Sequence, residues 1–458
     1  MEKAKENKMG TAPMLKLLIS MSLPSMFSML VQSLYNIVDS MFVAQVSEDA
    51  LTAVSLAFPV QTVLMAVAVG TGVGVNSLIS RRLGEKNQDA ADTAATHGIV
   101  LALFSWVLFA LFGIFFTRTF FSAFSDNPVI VEMGCQYGYI VTIFSFGMLV
   151  QIAIEKILQA TGNMIYPMIF ILVGAVTNIV LDPILIFGYL GMPAMGVAGA
   201  AIATVAGQIL AMLLSVYVIF RKDHAVRISF KGFKFSFKTA KQIYAVGLPS
   251  IIMQSITSVL TAALNAILAG FSSTAVSVLG VYYKLQSFVF MPVFGLTHGV
   301  LPIVGYNYGA KNKKRMTEAF KYGCIIGGCI MLVGNLIFLI FPELLLKIFS
   351  ASDYMLEIGI PALQIISTCF IPAAVGIMFS TVFQAVGQGG KSLFLSALRQ
   401  LVVILPVAYG LSKLGLGYVW YAFPIAEVVS LVAGIFLYAS LYRKHIKNLQ
   451  PLETSVAG

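Results

Sequence analysis

Seven ionisable side chains stand inside apolar stretches of this 458-residue chain: Asp39, Glu155, Lys156, Asp182, Lys284, Arg399 and Glu427. A charge at mid-bilayer costs roughly 2.5–3.5 kcal/mol on the gentlest scale, so each such residue is read as functional by default. Spacing singles out the acids of the first half. Gln32, Tyr35, Asn36 and Asp39 fall at helical intervals and form one stripe, and Asn178 and Asp182, four apart, share a face. Thr204 could add a hydroxyl. A set of carboxylates, amides and a hydroxyl suits a proton or a small hard cation such as sodium. Two carboxyls held together away from water favour a shared proton. The plainer reading is polar glue between helices, but asparagine would serve that purpose as well as aspartate.

These side chains need helices to carry them. Hydrophobic residues make up 59% of the chain and charged residues 10%, which a soluble fold could not bury and a polytopic membrane protein exposes to lipid. The apolar runs predict twelve spans, near 14–43, 51–80, 93–117, 130–158, 165–189, 195–220, 240–270, 275–306, 317–341, 354–384, 391–412 and 417–442. The net charge of +10 is topology information rather than a nucleic-acid signal. Of 29 Lys and Arg, 23 fall on one side, from Lys3 and Lys5 through the 221–241 linker to Lys447, against Arg118, Lys347 and Lys413 on the other. That asymmetry predicts cytoplasmic termini in a plasma membrane, with some attraction to anionic lipid. No cleavable signal peptide is evident. Cys135, Cys324, Cys329 and Cys369 lie in or beside spans without metal spacing and read as packing residues.

The chain also repeats itself. A shift of 225 residues places Leu23-Pro24-Ser25 on Leu248-Pro249-Ser250, and Gly84 with Lys86-Asn87 on Gly309 with Lys311-Asn312. It also places Gln159-Ala160-x-Gly162 on Gln384-Ala385-x-Gly387. Six spans per half make the halves parallel repeats about an axis along the membrane normal. The expected fold is therefore all-α, with two pseudo-symmetric six-helix bundles flanking a V-shaped cleft. Residues 1–220 form the N-terminal lobe, 221–240 a cytoplasmic linker able to carry a short interfacial helix, and 241–458 the C-terminal lobe and tail. Acids did not duplicate: Asp39 corresponds to Leu264, Asn36 to Thr261, and no acid stands near 405–407. The ion site is thus expected in the first lobe alone.

The remaining charges divide between roles. Gln151, Glu155 and Gln159 form a four-spaced stripe, with Glu155 either meeting a cationic substrate or facing cytoplasmic water. Arg399 and Glu427 could pair between the eleventh and twelfth spans, or Glu427 could meet substrate. Tyr35, Tyr137, Tyr139, Tyr282 and Phe288 could line a cavity, although core or lipid contact is commoner for any one aromatic. His97 and His298 read as packed or solvated. One charge moving down 100 mV supplies about 2.3 kcal/mol, enough for roughly fifty-fold accumulation. No GxxxxGK[ST] loop is present.

In their order, these residues resemble the MATE (multidrug and toxic compound extrusion) family, in its bacterial MepA-like and DinF-like branch. The resemblance rests on Ser22-Leu23-Pro24, Asn36-x-x-Asp39, Arg82-Leu83-Gly84, Gln159-Ala160-Thr161-Gly162 and Asn178-x-x-x-Asp182-Pro183. It continues in the run from Gly196 to Thr204 and in Pro302-x-x-Gly305-x-x-x-Gly309. It implies a twelve-helix antiporter, working without a cofactor and as a monomer, that exports cationic amphipathic compounds in exchange for H+ or Na+. The implied cation site is Asp39, Asn178, Asp182 and Thr204, with Asn36 beside it. Glu155, Gln151, Tyr35, Tyr139 and Tyr282 are the substrate candidates. Some relatives also use acids in the seventh and tenth helices. This chain has none in the seventh, and Glu357 lies near the outer end of the tenth. The alternative transporter is a flippase for lipid-linked precursors. An intramembrane enzyme lacks support, since neither an HExxH pair nor a GxGD motif is present.

Overall fold

A computed structural model describes residues 7–450. Lys3 and Lys5, counted in the basic flank, lie outside them, as does the end of the C-terminal tail. All regular structure among the described residues is helical. The first half supplies α1 (Met14–Ala44), α2 (Glu48–Gly84), α3 (Gln88–Phe124), α4 (Pro128–Ile143), α5 (Phe146–Ala160), α6 (Ile165–Phe187) and α7 (Gly196–Arg221). The second supplies α8 (Phe237–Ala269), α9 (Ser273–Gly309), α10 (Lys313–Ile340), α11 (Asp353–Ser367), α12 (Phe370–Ala385), α13 (Gly389–Ser412) and α14 (Leu416–Ile446). Ten of these are long and apolar enough to span a bilayer alone, and the pairs α4–α5 and α11–α12 make twelve if each counts as one span. The chain is a multi-pass membrane protein.

The shift of 225 carries α2 onto α9 at both ends, and local physics explains the repeated turn residues. Lys86 and Lys311 close the α2–α3 and α9–α10 turns in the left-handed region, with φ of 58° and 57°. Asn87 and Asn312 follow as N-caps, accepting from the backbone N–H of Ala90 at 3.1 Å and of Arg315 at 3.2 Å. Gly162 and Gly387 end α5 and α12 with φ of 89° and 85°. There the N–H of Asn163 reaches the carbonyl of Leu158, and that of Gln388 reaches Phe383. This is the Schellman closure, which needs a residue without a side chain at the left-handed position. Gly84 and Gly309 face one another across a crossing of α2 and α9. A Cβ on Gly84 would strike the carbonyl of Tyr306, and one on Gly309 would strike that of Arg81.

The sequence reading placed continuous helices at 130–158 and 354–384. Both are broken, by 42° and 48°. Each break leaves a carbonyl without its helical partner, and a side chain from a neighbouring helix takes it. Trp106 on α3 donates Nε1–H to Ile143 at 2.8 Å, and Asn335 on α10 donates to Ser367. Neither indole nor amide announces such a partner in one dimension. The 222–236 linker carries no helix.

By contacts the chain forms two compact units that cut across the sequence halves. One holds the residues through Met26, Ser80–Lys86, and those from Ile252 onward; the other holds Phe27–Ile79 and Asn87–Ile251. Both leading helices change unit two residues after their internal proline, Pro24 in α1 and Pro249 in α8. Repeat boundaries and contact boundaries therefore differ. A proline removes a backbone hydrogen bond and is the usual place for a helix to bend.

Candidate functional site: a polar cluster in an apolar unit

The unit built from Phe27–Ile79 and Asn87–Ile251 gathers oxygen atoms from five helices. The close pairing of α6 with α7 sets the geometry. Gly207 approaches Gly174 so tightly that a Cβ on Gly207 would lie 2.6 Å from the Gly174 carbonyl. One turn along, this antiparallel contact brings Asn178 of α6 against Thr204 of α7. With the Asn178 amide turned to satisfy both its ends, Nδ2 donates to Asp182 at 3.0 Å. The amide oxygen then accepts from the Thr204 N–H at 3.1 Å and hydroxyl at 3.2 Å. Asn178, Asp182 and Thr204 are all buried, Asp182 completely.

Helix α1 brings Tyr35 and Asp39 to the same place. The Asp39 and Asp182 carboxyls are neighbours there, and the Tyr35 hydroxyl lies beside that of Thr204. Oδ1 of Asp39 is buried without a donor. Two carboxyls at such range cannot both remain charged without a proton or cation between them, and an orphaned carboxylate oxygen is a ligand position of the right chemistry for either. Among the described residues no group of three His, Cys, Asp or Glu could hold a metal ion; the donors gathered here are all oxygen and amide groups.

Two members of the cluster escaped the sequence reading of the ion site. Tyr137 of α4, considered only as a possible cavity aromatic, neighbours Asp39, Tyr35 and Asp182. Gln61 of α2 donates Nε2–H to the Tyr137 hydroxyl oxygen at 2.7 Å, which leaves the hydroxyl hydrogen free for the acids. A lone glutamine in the apolar run around Phe58-Pro59-Val60 was the available signal.

Other sequence candidates stand apart from the cluster. Asn36 lies on an exposed face of α1. Glu155 faces neither water nor an open cavity. Its carboxylate pairs with Lys156 at 3.2 Å and accepts from Gln151 at 3.1 Å and Gln159 at 3.0 Å, all on α5. Lys156 also donates to Gln159 at 3.0 Å, and its stem packs on Gly72. Tyr139 packs against the apolar cluster of Ala57, Phe121 and Val141. Tyr282 belongs to the other unit, buried among Tyr283, Phe338 and Phe423. There Arg399 and Glu427 pair at 3.1 Å, and Lys284 sits 5.8 Å from the Phe349 ring. Glu357 is exposed.

The sequence model of the MatE family matches this chain twice, over residues 24–184 and 249–410. The two matches begin 225 residues apart, in register with the repeat. The chain belongs to the MATE family. Among curated relatives of this MATE protein, the multidrug export protein MepA of Staphylococcus haemolyticus is 28% identical over 428 residues, 93% of each chain. Among solved structures, the outward-facing conformation of a multidrug resistance MATE family transporter of the MOP superfamily is 29% identical. It superimposes with a TM-score of 0.91 over 98% of this chain and 100% of that one. A MOP superfamily transporter from Pyrococcus furiosus, described as having a binding pocket of reversed polarity, gives 0.90 at 28% identity over 98% and 100%. Both likenesses span the whole MATE architecture.

Proposed function

We propose that this protein is a multidrug efflux antiporter that exports cationic amphipathic compounds in exchange for H+ or Na+. In this reading the ion binds in the first half at Asp39, Asp182, Asn178 and Thr204, with Tyr35, Tyr137 and Gln61 around them. The observation that carries it is the meeting of the buried Asp182 carboxyl with that of half-buried Asp39, whose Oδ1 is buried without a donor. Export by the MepA relative supports the direction and the class of cargo. An ion entering the pair removes its repulsion, and its departure restores it. That alternation gives a differential free energy between two states, which coupling requires. The chain moves its cargo unchanged, as a monomer, and both termini lie in the cytoplasm of a bacterial cell.

Purified protein in vesicles, given a sodium or a proton gradient separately, tests this. A fluorescent organic cation should move against its own gradient under one of the two, and Asp39→Asn should stop that movement. Movement that ignores both gradients would end the antiport reading.

A further inference from the structure

The linker between α7 and α8 is fixed to the protein by its backbone, with Val226 and Phe233 packed inward, and leaves its charged side chains outside. Four hydrogen bonds attach it to the first three turns of α3. Gln88 Nε2 donates to the Ala225 carbonyl at 2.7 Å, and Asp92 accepts from the Arg227 N–H at 2.8 Å. Thr96 Oγ1 accepts from the Ser229 N–H at 3.3 Å, and His97 Nε2 from the Ser236 N–H at 2.8 Å. His97 is completely buried, and its Nδ1 meets the Thr93 carbonyl at 2.8 Å. A backbone N–H can only donate, so Nε2 is the acceptor and Nδ1 carries the hydrogen. Phe233 stacks edge-on against the same imidazole. None of these contacts uses a linker charge.

What faces outward is consistent in kind. Arg227, Lys231, Lys234 and Lys238 are exposed. Interleaved with them, Phe230, Phe235 and Phe237 are 50%, 44% and 84% exposed. Phe235 also lies against the His97 ring at 5.3 Å and against Phe237 at 5.2 Å, yet three phenylalanines so exposed on one strap are unexpected in water. Their height along the helices accounts for them. On α3 the exposed apolar belt begins at Leu103, six residues or about 9 Å beyond His97. On α7 it runs to Phe220, next to the start of the linker. The strap therefore lies at the rim of the lipid-facing surface, where headgroups meet acyl chains. Basic side chains beside inserted aromatics are the chemistry of an anionic interface.

We propose that residues 225–238 form a built-in binding strap for anionic phospholipid, with Phe230, Phe235 and Phe237 entering the acyl boundary and the lysines on headgroup phosphates. The strap does not depend on the ion site, so it stands or falls separately from the proposed transport.

The test uses the full-length protein in vesicles of phosphatidylcholine alone or with added phosphatidylglycerol. The Phe237→Trp variant reports position by fluorescence, read against its parent. Lipids brominated on the acyl chain should quench the new indole, and more strongly when phosphatidylglycerol is present. Replacing Lys231, Lys234 and Lys238 together by Gln should weaken phosphatidylglycerol retention by on the order of a hundred-fold and remove the composition dependence. The thermal transition should stay in place, since these side chains hold nothing inside the protein. An indole quenched by aqueous iodide and untouched by brominated lipid would overturn the proposal and leave the strap free for a soluble acidic partner. Equal quenching in both vesicles, unaltered by the triple substitution, would overturn the claim that anionic lipid is what it binds.

Discussion

The two halves share a backbone and differ in what they hold. In the first, Tyr35, Asp39, Tyr137, Asn178, Asp182 and Thr204 form one polar cluster. At the shifted positions the second half has Leu260, Leu264, Ala362, Val403, Val407 and Val429. Its own buried carboxylate, Glu427, stands at the position of Ile202, and it is answered by Arg399 at the position of Gly174. Apart from the Glu155–Lys156 pair, the first half thus holds two acids that meet no cation, and the second one acid with a cation attached. The guanidinium answers this acid from within the protein, so Glu427 needs no outside ion as a partner. In the first, no ion pair with Lys or Arg is formed by Asp39 or Asp182 among the described residues, which is what the proposed ion site would use. Duplication supplied the frame twice; under the proposed antiport, the divergence of eight side chains makes coupling one-sided.

The sharpest way to break this comparison is at the acids. Asp39→Asn and Asp182→Asn should each abolish gradient-driven export in vesicles while the thermal unfolding transition remains. Retained export in both would show that the halves do not differ in the way described. Next in size is the pair of the second half. Arg399→Gln strands Glu427 and should destabilise the protein by about 3 kcal/mol, toward the low end for such pairs because Arg399 is 26% exposed. Replacing both residues by Leu should recover most of that stability, and ion dependence should be unchanged in either variant. If the dependence shifts, the second half is not inert.

Glu155→Gln makes a comparable test inside the first half. It leaves the Lys156 ammonium buried, so denaturation should show a loss of about 3 kcal/mol that Lys156→Gln in the same chain reverses. In that double variant, equal export of cationic and neutral compounds relative to wild type would assign the pair to structure, and selective loss of cations would assign it to recognition. The smallest effect is expected at Gln61→Leu. It removes one hydrogen bond to Tyr137, worth about 1 kcal/mol, and should weaken the coupling ion about five-fold in a titration of transport rate.

Much of this was legible without coordinates, for identifiable reasons. Helical spacing alone related Asn178 to Asp182, and the cost of buried charge marked both acids. The Gly, Lys and Asn repeats were visible because left-handed turns and N-caps restrict residue choice. Spacing within one helix could not show which helices meet. Thus Tyr137 and Gln61, brought in on α4 and α2, were not foreseen in the polar cluster, and Asn36 was grouped with Asp39 although it faces outward. The kinks at 144 and 368 were hidden for the same reason: what tolerates them is a donor on another helix. Glu155 shows a further limit, since the residue that neutralises it is its immediate neighbour, reached only because a lysine stem can curl back.

The crossing of Gly84 with Gly309 constrains the repeat itself. Each glycine rests on the main chain near its counterpart, so the contact is self-complementary, the kind two identical molecules make across a two-fold axis. Both copies of the repeat therefore answer to one steric demand at the matching place, whatever each has since become elsewhere.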